Sequence, residues 1–197
     1  MKEYVPQVVA NRRPLVLWLI SALTVSALVS LIAIAPVAAV DGHAGLAQGI
    51  YRAFGTLCHQ LPERSYYIYG HKLAVCSRCT GIYAGFALTL LLYPLIRSLR
   101  NAVTPRPIFL LLAAIPLASD FSLTFLGVWE NTHTSRLLTG ALLGSAAVFY
   151  VMPGIIELSQ RSQSTQTSAP APVTFTLASP ERIASAPSDY SAPERRI

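Results

Sequence analysis

Residues 14–40, PLVLWLISALTVSALVSLIAIAPVAAV, form an unbroken run of 27 residues without a charged side chain. A helix needs about 20 mostly apolar residues to cross the hydrocarbon core of a bilayer, so this run is long enough to span a membrane. Three further runs follow: residues 79–96 and 137–156 carry no charge, and residues 107–129 carry one, that of Asp120. The sequence therefore predicts an all-α integral membrane protein. Its membrane domain is expected at residues 15–156, with transmembrane helices at about 15–40, 80–96, 107–128 and 136–156.

The composition agrees with a membrane protein and disagrees with a soluble domain. Of the 197 residues, 53% are hydrophobic and 12% are charged, which is about half the charged fraction of a typical soluble domain. The net charge of +6 comes from Lys and Arg residues that flank the apolar runs. Because they form no basic patch with interleaved aromatic residues, we expect a lipid bilayer as the partner and no nucleic acid.

The first apolar run has a second interpretation, a cleaved signal peptide. Basic residues precede it, and Val37-Ala38-Ala39 would suit a signal peptidase. Its apolar stretch is longer than the roughly 7–15 residues of a usual signal-peptide core. We therefore favour a retained helix.

The distribution of Lys and Arg predicts the orientation in the membrane. Ten lie in the N-terminal segment, the second loop and the C-terminal tail, and five lie in the first and third loops. Since cytoplasmic segments carry the excess of positive charge, residues 1–14 and the tail are expected in the cytoplasm, and the protein in the plasma membrane. The first loop, residues 41–79, is then extracytoplasmic.

The tail, residues 157–197, is predicted to be disordered. Of its 41 residues, 26 are Ser, Pro, Ala, Thr or Gln. Such a composition cannot bury enough apolar surface to form a core.

Within the first loop, apolar residues recur at helical spacing. Leu46, Ile50, Phe54 and Leu57 would share one face of a helix. This pattern predicts a short amphipathic helix that lies at the membrane surface.

All three cysteines of the chain, Cys58, Cys76 and Cys79, lie in or beside this loop. Two thiolates at Cys-x-x-Cys spacing can bind one tetrahedral metal ion, and Cys58 with a histidine would complete a structural zinc site. His59 and His71 are the candidate fourth ligands. His71 is the easier of the two, because His59 directly follows Cys58 in the chain.

The same cysteines are compatible with two other states, a disulfide and free thiols packed as small apolar residues. In a quinone-linked thiol–disulfide oxidoreductase, Cys76 and Cys79 would cycle, Cys58 would resolve, and Arg78 would lower the thiolate pKa. An extracytoplasmic loop favours disulfides, but the third loop has no second cysteine pair to receive electrons. Haem held by two histidines is disfavoured, since all four histidines lie outside the apolar runs.

Asp120 is the one charge within the third apolar run, four residues after Pro116. A lipid-facing carboxylate near mid-helix costs at least about 2.5 kcal/mol on the insertion scale, so the side chain is expected to face the bundle interior. We expect Asp120 to interact with Arg136, directly or through water, although Arg136 could extend to lipid phosphate instead. With Arg78 and Arg64 these residues would form a polar pocket under the loop, for an ion, a lipid headgroup or another small ligand.

Small residues recur one helical turn apart in two of the expected membrane helices. Gly81 and Gly85 form one pair, and Gly140 and Gly144 form the other. This spacing lets two helix backbones approach closely, within one chain or between the chains of a homo-oligomer.

Two segments resemble the signature of a known family. They are Cys58-His59-Gln60-Leu61-Pro62-Glu63-Arg64-Ser65 and Cys76-Ser77-Arg78-Cys79-Thr80-Gly81-Ile82-Tyr83-Ala84-Gly85. The chain thereby resembles the domain of unknown function 2085 family, small predicted membrane proteins of bacteria and archaea. The similarity covers roughly residues 45–150 and continues through Pro116, Asp120, Ser135, Arg136, Thr139, Gly140 and Gly144. The resemblance implies a membrane protein and brings no activity, substrate or cofactor.

The sequence is therefore compatible with two functions. The favoured one is a binding module, with an extracytoplasmic Cys/His zinc loop over an Asp/Arg pocket for a small ligand. The alternative is the quinone-linked oxidoreductase that uses the Cys-x-x-Cys pair.

Overall fold

The computed structural model describes residues 12–99 and 101–167, with side chains as far as residue 159. Within those residues, five α-helices and one short hairpin make up the fold. The helices are α1 (Arg13–Val40), α2 (Ala44–Gly55), α3 (Ser77–Ile96), α4 (Ile108–Phe125) and α5 (His133–Thr167). The strands β1 (Tyr67–Ile68) and β2 (His71–Lys72) follow a 3-10 turn at Pro62–Arg64 and are antiparallel.

Four helices in the described part of the chain are long and apolar enough to cross a membrane: α1, α3, α4 and, over His133–Ser159, α5. This confirms the predicted fold class, an all-α membrane protein with four spans. The helix α3 begins three residues before its predicted start, because Cys76 is extended and its carbonyl accepts the Thr80 N–H at 2.8 Å. The first turn of α3 therefore carries Cys79.

The C-terminal helix extends beyond its predicted end at residue 156. Residues 157–167 are helical, where disorder was expected. They contain no Pro or Gly, and the next proline is Pro170, so nothing in this stretch breaks the helix. The remainder of the predicted disordered tail, residues 168–197, and residues 1–11 of the predicted cytoplasmic N-terminus lie outside the described residues.

The membrane helices pack in the order α1, α3, α5, α4, and the contact between α3 and α5 is the most extensive. Gly81 and Gly85 of α3 face Gly140 and Gly144 of α5, and a Cβ at any of the four would collide with the backbone of the opposite helix. The predicted close approach is confirmed within one chain. Because these faces cover each other, they are not free to form the homo-oligomer contact considered above.

The amphipathic helix α2 is present, but its buried face differs from the predicted one. Ala47, Ile50 and Phe54 are buried, whereas Leu46 is 54% and Leu57 is 71% exposed. Leu57 lies beyond the end of α2 at Gly55, so it no longer follows the helical period. The buried face packs on α1.

The segment after the hairpin anchors the first loop to the bundle. Leu73, Ala74 and Val75 are buried and join a core cluster with Ile32 of α1 and Phe54 of α2. The loop is thereby a packed part of the fold, and it delivers Cys76 to the start of α3. We call this end of the bundle, where residues 41–79 lie, the loop end.

Candidate metal centre and polar pocket

The three cysteine sulfurs meet at the N-terminus of α3. The Sγ atoms of Cys58, Cys76 and Cys79 all lie within 4.8 Å of one another. Cys58 is buried just after α2, and its sulfur accepts backbone N–H groups from Cys76 at 3.2 Å and from Gln60 at 3.5 Å. These amide donors hold the sulfur of Cys58 against the Cys-x-x-Cys turn.

The surroundings of the Cys76 sulfur favour its thiolate form. Side-chain hydrogen bonds with Cys58, and then with Cys79, lower the pKa of the Cys76 thiol well below its ordinary value. The positive end of the α3 dipole acts in the same direction. Since the thiolate is the form that binds a metal ion, Cys76 is suited to metal coordination.

Neither candidate histidine belongs to this cluster, which among the described residues contains cysteines alone. His71 is exposed on β2 and lines a different cavity with Tyr51 and Gln60. The hairpin is held there by α2, because the Tyr51 hydroxyl donates to the Lys72 carbonyl at 2.5 Å. The structure therefore does not bring His71, the expected easier fourth ligand, to the three sulfurs. His59 is exposed and lines the cavity beside the cysteines.

Asp120 is held by donors from α3, from the α4–α5 loop and from α5. Arg78 Nη2 donates to Asp120 Oδ2 at 2.7 Å, and the two side chains are 19% and 11% exposed. Asn131 Nδ2 donates to the same oxygen at 2.6 Å, and Ser135 Oγ donates to Oδ1 at 3.0 Å. The carboxylate thus points toward the loop end and into a polar network, not toward lipid.

The expected contact between Asp120 and Arg136 is replaced by an indirect one. Arg136 Nε donates to Asn131 Oδ1 at 2.5 Å, and Asn131 in turn donates to Asp120. The reason is the path of the loop after α4, which turns at Gly127 (φ 70°) and brings Asn131 between the two residues. The direct cationic partner of Asp120 is Arg78.

A cavity of about 460 Å³ lies between the first loop, the start of α3 and the ends of α4 and α5. Its polar wall is formed by the three cysteines, by His59, Gln60, Thr124 and Asn131, and by the arginines Arg64, Arg78 and Arg136. Its apolar wall is formed by Leu57, Leu61, Phe121 and Phe125. Asp120 lies behind Arg78 and is not part of the lining. The four residues expected to form the polar pocket are thus gathered at one place, and the three arginines among them line the same cavity as the cysteines.

Three neighbours of the cysteines and of Asp120 were not among the expected site residues. Asn131 and Ser135 both donate to Asp120, and of the two only Ser135 entered the expectations, through the family resemblance. Ser77 is fully buried, donates to the Arg64 carbonyl at 2.8 Å, and lies 2.8 Å from His133 Nδ1. It joins the 3-10 turn, α3 and α5 at the edge of the site. Its place directly after Cys76 was the only signal for this role.

Comparison with known proteins places the site within a recognised family region. The family described as "Predicted membrane protein (DUF2085)" matches residues 58–150, which include every residue of the cysteine cluster and the Asp120 network. An uncharacterised protein of Methanocaldococcus jannaschii is 38% identical over 109 residues, which is 55% of this chain and 70% of the relative. One of Methanothermobacter thermautotrophicus is 36% identical over 105 residues, which is 52% of this chain and 93% of the relative. No solved structure matches the chain.

Proposed function

This chain belongs to the DUF2085 family of predicted membrane proteins, and we propose that it is a binding module in which Cys58, Cys76 and Cys79 hold one zinc ion. The observation that carries this proposal is the convergence of the three sulfurs within 4.8 Å. Two of them come from a Cys-x-x-Cys turn, and the third arrives from a separate segment that buried packing holds in place.

The sulfur geometry fits a tetrahedral thiolate site. Zn–S bonds of about 2.3 Å place two ligand sulfurs about 3.8 Å apart, and the three sulfurs all lie within 4.8 Å of one another, so they are close enough to bind one ion together. The amide donors to Cys58 offset part of the negative charge that three thiolates bring. Thiolates are soft ligands that suit zinc, and the proposed binding function requires no redox change of the metal, so zinc is the favoured ion.

The fourth coordination position is proposed to face the cavity. The cluster has no fourth protein ligand among the described residues, and all three cysteines line the cavity wall. Zinc sites with three protein ligands leave one position for water or a ligand, where the ion acts as a Lewis acid. The site therefore suits the handling of a small ligand better than a purely structural role.

We place the loop end on the outer side of the plasma membrane, with both termini in the cytoplasm. The support is the charge bias of ten Lys and Arg against five. An ion or ligand would then reach the site from outside the cell.

One observation favours the redox alternative: Cys76 has a lowered pKa and lies at a helix N-terminus beside Cys79. Such thiols attack disulfides readily. Two observations weigh against it. Cys58 lies as close to the pair as a third metal ligand would, and the chain holds no second cysteine pair to pass electrons on.

Metal analysis of detergent-purified protein, with parallel thiol counting, tests the proposal. We expect about one zinc ion per chain, and loss of zinc in Cys58→Ser, Cys76→Ser and Cys79→Ser. His71→Ala is the matched control and should keep its zinc, because His71 lies on the hairpin away from the sulfurs. Protein without metal and with a Cys76–Cys79 disulfide in mass spectrometry would replace this proposal with the redox one.

A further inference from the structure

The cavity beside the cysteines has an unusual balance of charge. Three arginines line it, and no aspartate or glutamate does so among the described residues. Arg78 is neutralised from behind by Asp120. Arg64 and Arg136 have no carboxylate partner in the described part of the chain. Two guanidinium charges in the cavity lining therefore remain unpaired within the described residues.

A zinc ion bound by the three thiolates would cancel only one of these two positive charges. Three thiolates and one Zn²⁺ sum to a single negative charge, so the cavity stays positive when the site is loaded. Like charges that share a partly desolvated cavity repel each other, and an anion between them relieves the repulsion. The cavity is therefore suited to an anionic ligand.

The arginines are also held in place for recognition. Arg78 is fixed by Asp120 and lies over the ring of Phe121, with its Cζ 5.6 Å from the ring centroid. Arg136 is held through its Nε by Asn131, which leaves its terminal nitrogens without a hydrogen-bond partner among the described residues. Planar guanidinium groups that are held in this way match the oxygens of a phosphate group.

One orphaned donor adds to this picture. Arg78 Nε is buried and has no hydrogen-bond partner among the described residues. A buried donor without a partner is uncommon and calls for an unseen water or ligand. It belongs to a side chain that lines the cavity.

The apolar wall indicates what the anion is attached to. Phe121 and Phe125 of the membrane helix α4 line the cavity and are 50% and 80% exposed, and Leu57 and Leu61 lie on the loop side. The cavity thus joins a cationic wall to a lipid-facing apolar wall at the loop end. Its volume of about 460 Å³ falls within the roughly 300–1,000 Å³ of small-molecule sites.

From these observations we infer that the cavity binds the phosphate group of an anionic amphiphile, with its apolar part along Phe121 and Phe125. This inference names the ligand class of the binding module proposed above and rests on it. The shared chemistry is a phosphate group bound by arginines, and its source is either a lipid headgroup or free phosphate.

Calorimetric titration of the zinc-loaded, detergent-purified protein separates the two sources. The probes are dihexanoyl phosphatidic acid, inorganic phosphate and, as a zwitterionic control, dihexanoyl phosphatidylcholine. We expect phosphatidic acid to bind most tightly, inorganic phosphate weakly and phosphatidylcholine not measurably. If inorganic phosphate bound more tightly than phosphatidic acid, the cavity would be a site for free phosphate and the proposal of an amphiphile would be overturned.

Matched variants locate the binding. Arg64→Gln and Arg136→Gln should each lower the affinity for phosphatidic acid about tenfold, which is the loss expected for one charged hydrogen bond. Arg52→Gln removes an arginine of the other cavity and should change nothing. Phe125→Ser should lower the affinity for phosphatidic acid but not the affinity for inorganic phosphate.

Zinc is measured in every sample, so the two proposals fail separately. Full zinc content without binding of either phosphate compound overturns this inference and leaves the metal site. Arginine-dependent phosphate binding in protein without zinc keeps the anion site and overturns the metal proposal. Binding that is unchanged in both arginine variants overturns the inference even when affinity is high.

Discussion

Arg78 in the first turn of α3 donates to Asp120 of α4 at 2.7 Å, and this ion pair joins two helices that otherwise each pack on α5. Arg78 lies between Cys76 and Cys79 in the chain, so one helical turn carries both the ion pair and two of the sulfurs. The ion pair therefore links α4 to the turn that carries Cys76 and Cys79.

The first prediction concerns this ion pair. Asp120→Asn and Arg78→Gln should each lower the unfolding free energy by about 1–3 kcal/mol, because each leaves a largely buried polar group without its charged partner. The double variant should be little worse than either single variant. Thermal unfolding in detergent, analysed as a double-mutant cycle, measures the coupling.

Arg136→Gln is the control for this cycle. Its coupling to Asp120→Asn should be smaller, because Asn131 stands between the two residues. A stronger coupling of Asp120 to Arg136 than to Arg78 would contradict the structure.

The second prediction concerns the packing of α3 on α5. Gly85→Ala and Gly144→Ala should each cost about 1–3 kcal/mol, since the added Cβ meets the backbone of the opposite helix. Gly154→Ala lies on α5 with nothing within 4 Å of the new Cβ and should be neutral or stabilising. Equal melting temperatures for all three variants would show that the two helices are not in close contact.

The third prediction concerns metal-linked stability. A chelator should lower the melting temperature of the native protein, because a bound zinc contributes to the folding free energy. Without chelator, Cys76→Ser should melt at about the same temperature as the native protein with chelator. Adding chelator to Cys76→Ser should not lower its melting temperature further. A chelator shift that persists in Cys76→Ser would mean that the metal is bound elsewhere.

The fourth prediction concerns orientation. Tyr69→Cys in the hairpin, 78% exposed, and Val103→Cys in the α3–α4 connection, 69% exposed, are compared on intact cells with a membrane-impermeant thiol reagent. The charge bias predicts modification at position 69 only, located by mass spectrometry of the labelled peptides. Modification at position 103 alone would invert the proposed topology.

Hydropathy alone located the four spans, because the bilayer imposes a minimum apolar length on any helix that crosses it. The gathering of Cys58 with Cys76 and Cys79 was also expected from the sequence, because all three lie in or beside one loop. The inward position of Asp120 followed from the cost of a charge in lipid.

The sequence did not predict which arginine forms the ion pair with Asp120. Whether Arg78 or Arg136 reaches it depends on the rotation of α3 and on the turn at Gly127, and neither leaves a hydropathy signal. The exclusion of His71 likewise depends on the pairing of Ile68 with His71 and on the Tyr51 hydrogen bond, which fix the hairpin away from the sulfurs. Spacing along the chain cannot report such three-dimensional anchoring.

X-ray absorption at the zinc edge of the purified protein tests the central claim most directly, because it counts the atoms bound to the metal. We predict three sulfur neighbours at about 2.3 Å and one oxygen or nitrogen neighbour, an unchanged spectrum in His71→Ala, and loss of the zinc signal in Cys58→Ser. Zinc bound without sulfur neighbours, or protein that contains no zinc and a Cys76–Cys79 disulfide, would contradict it.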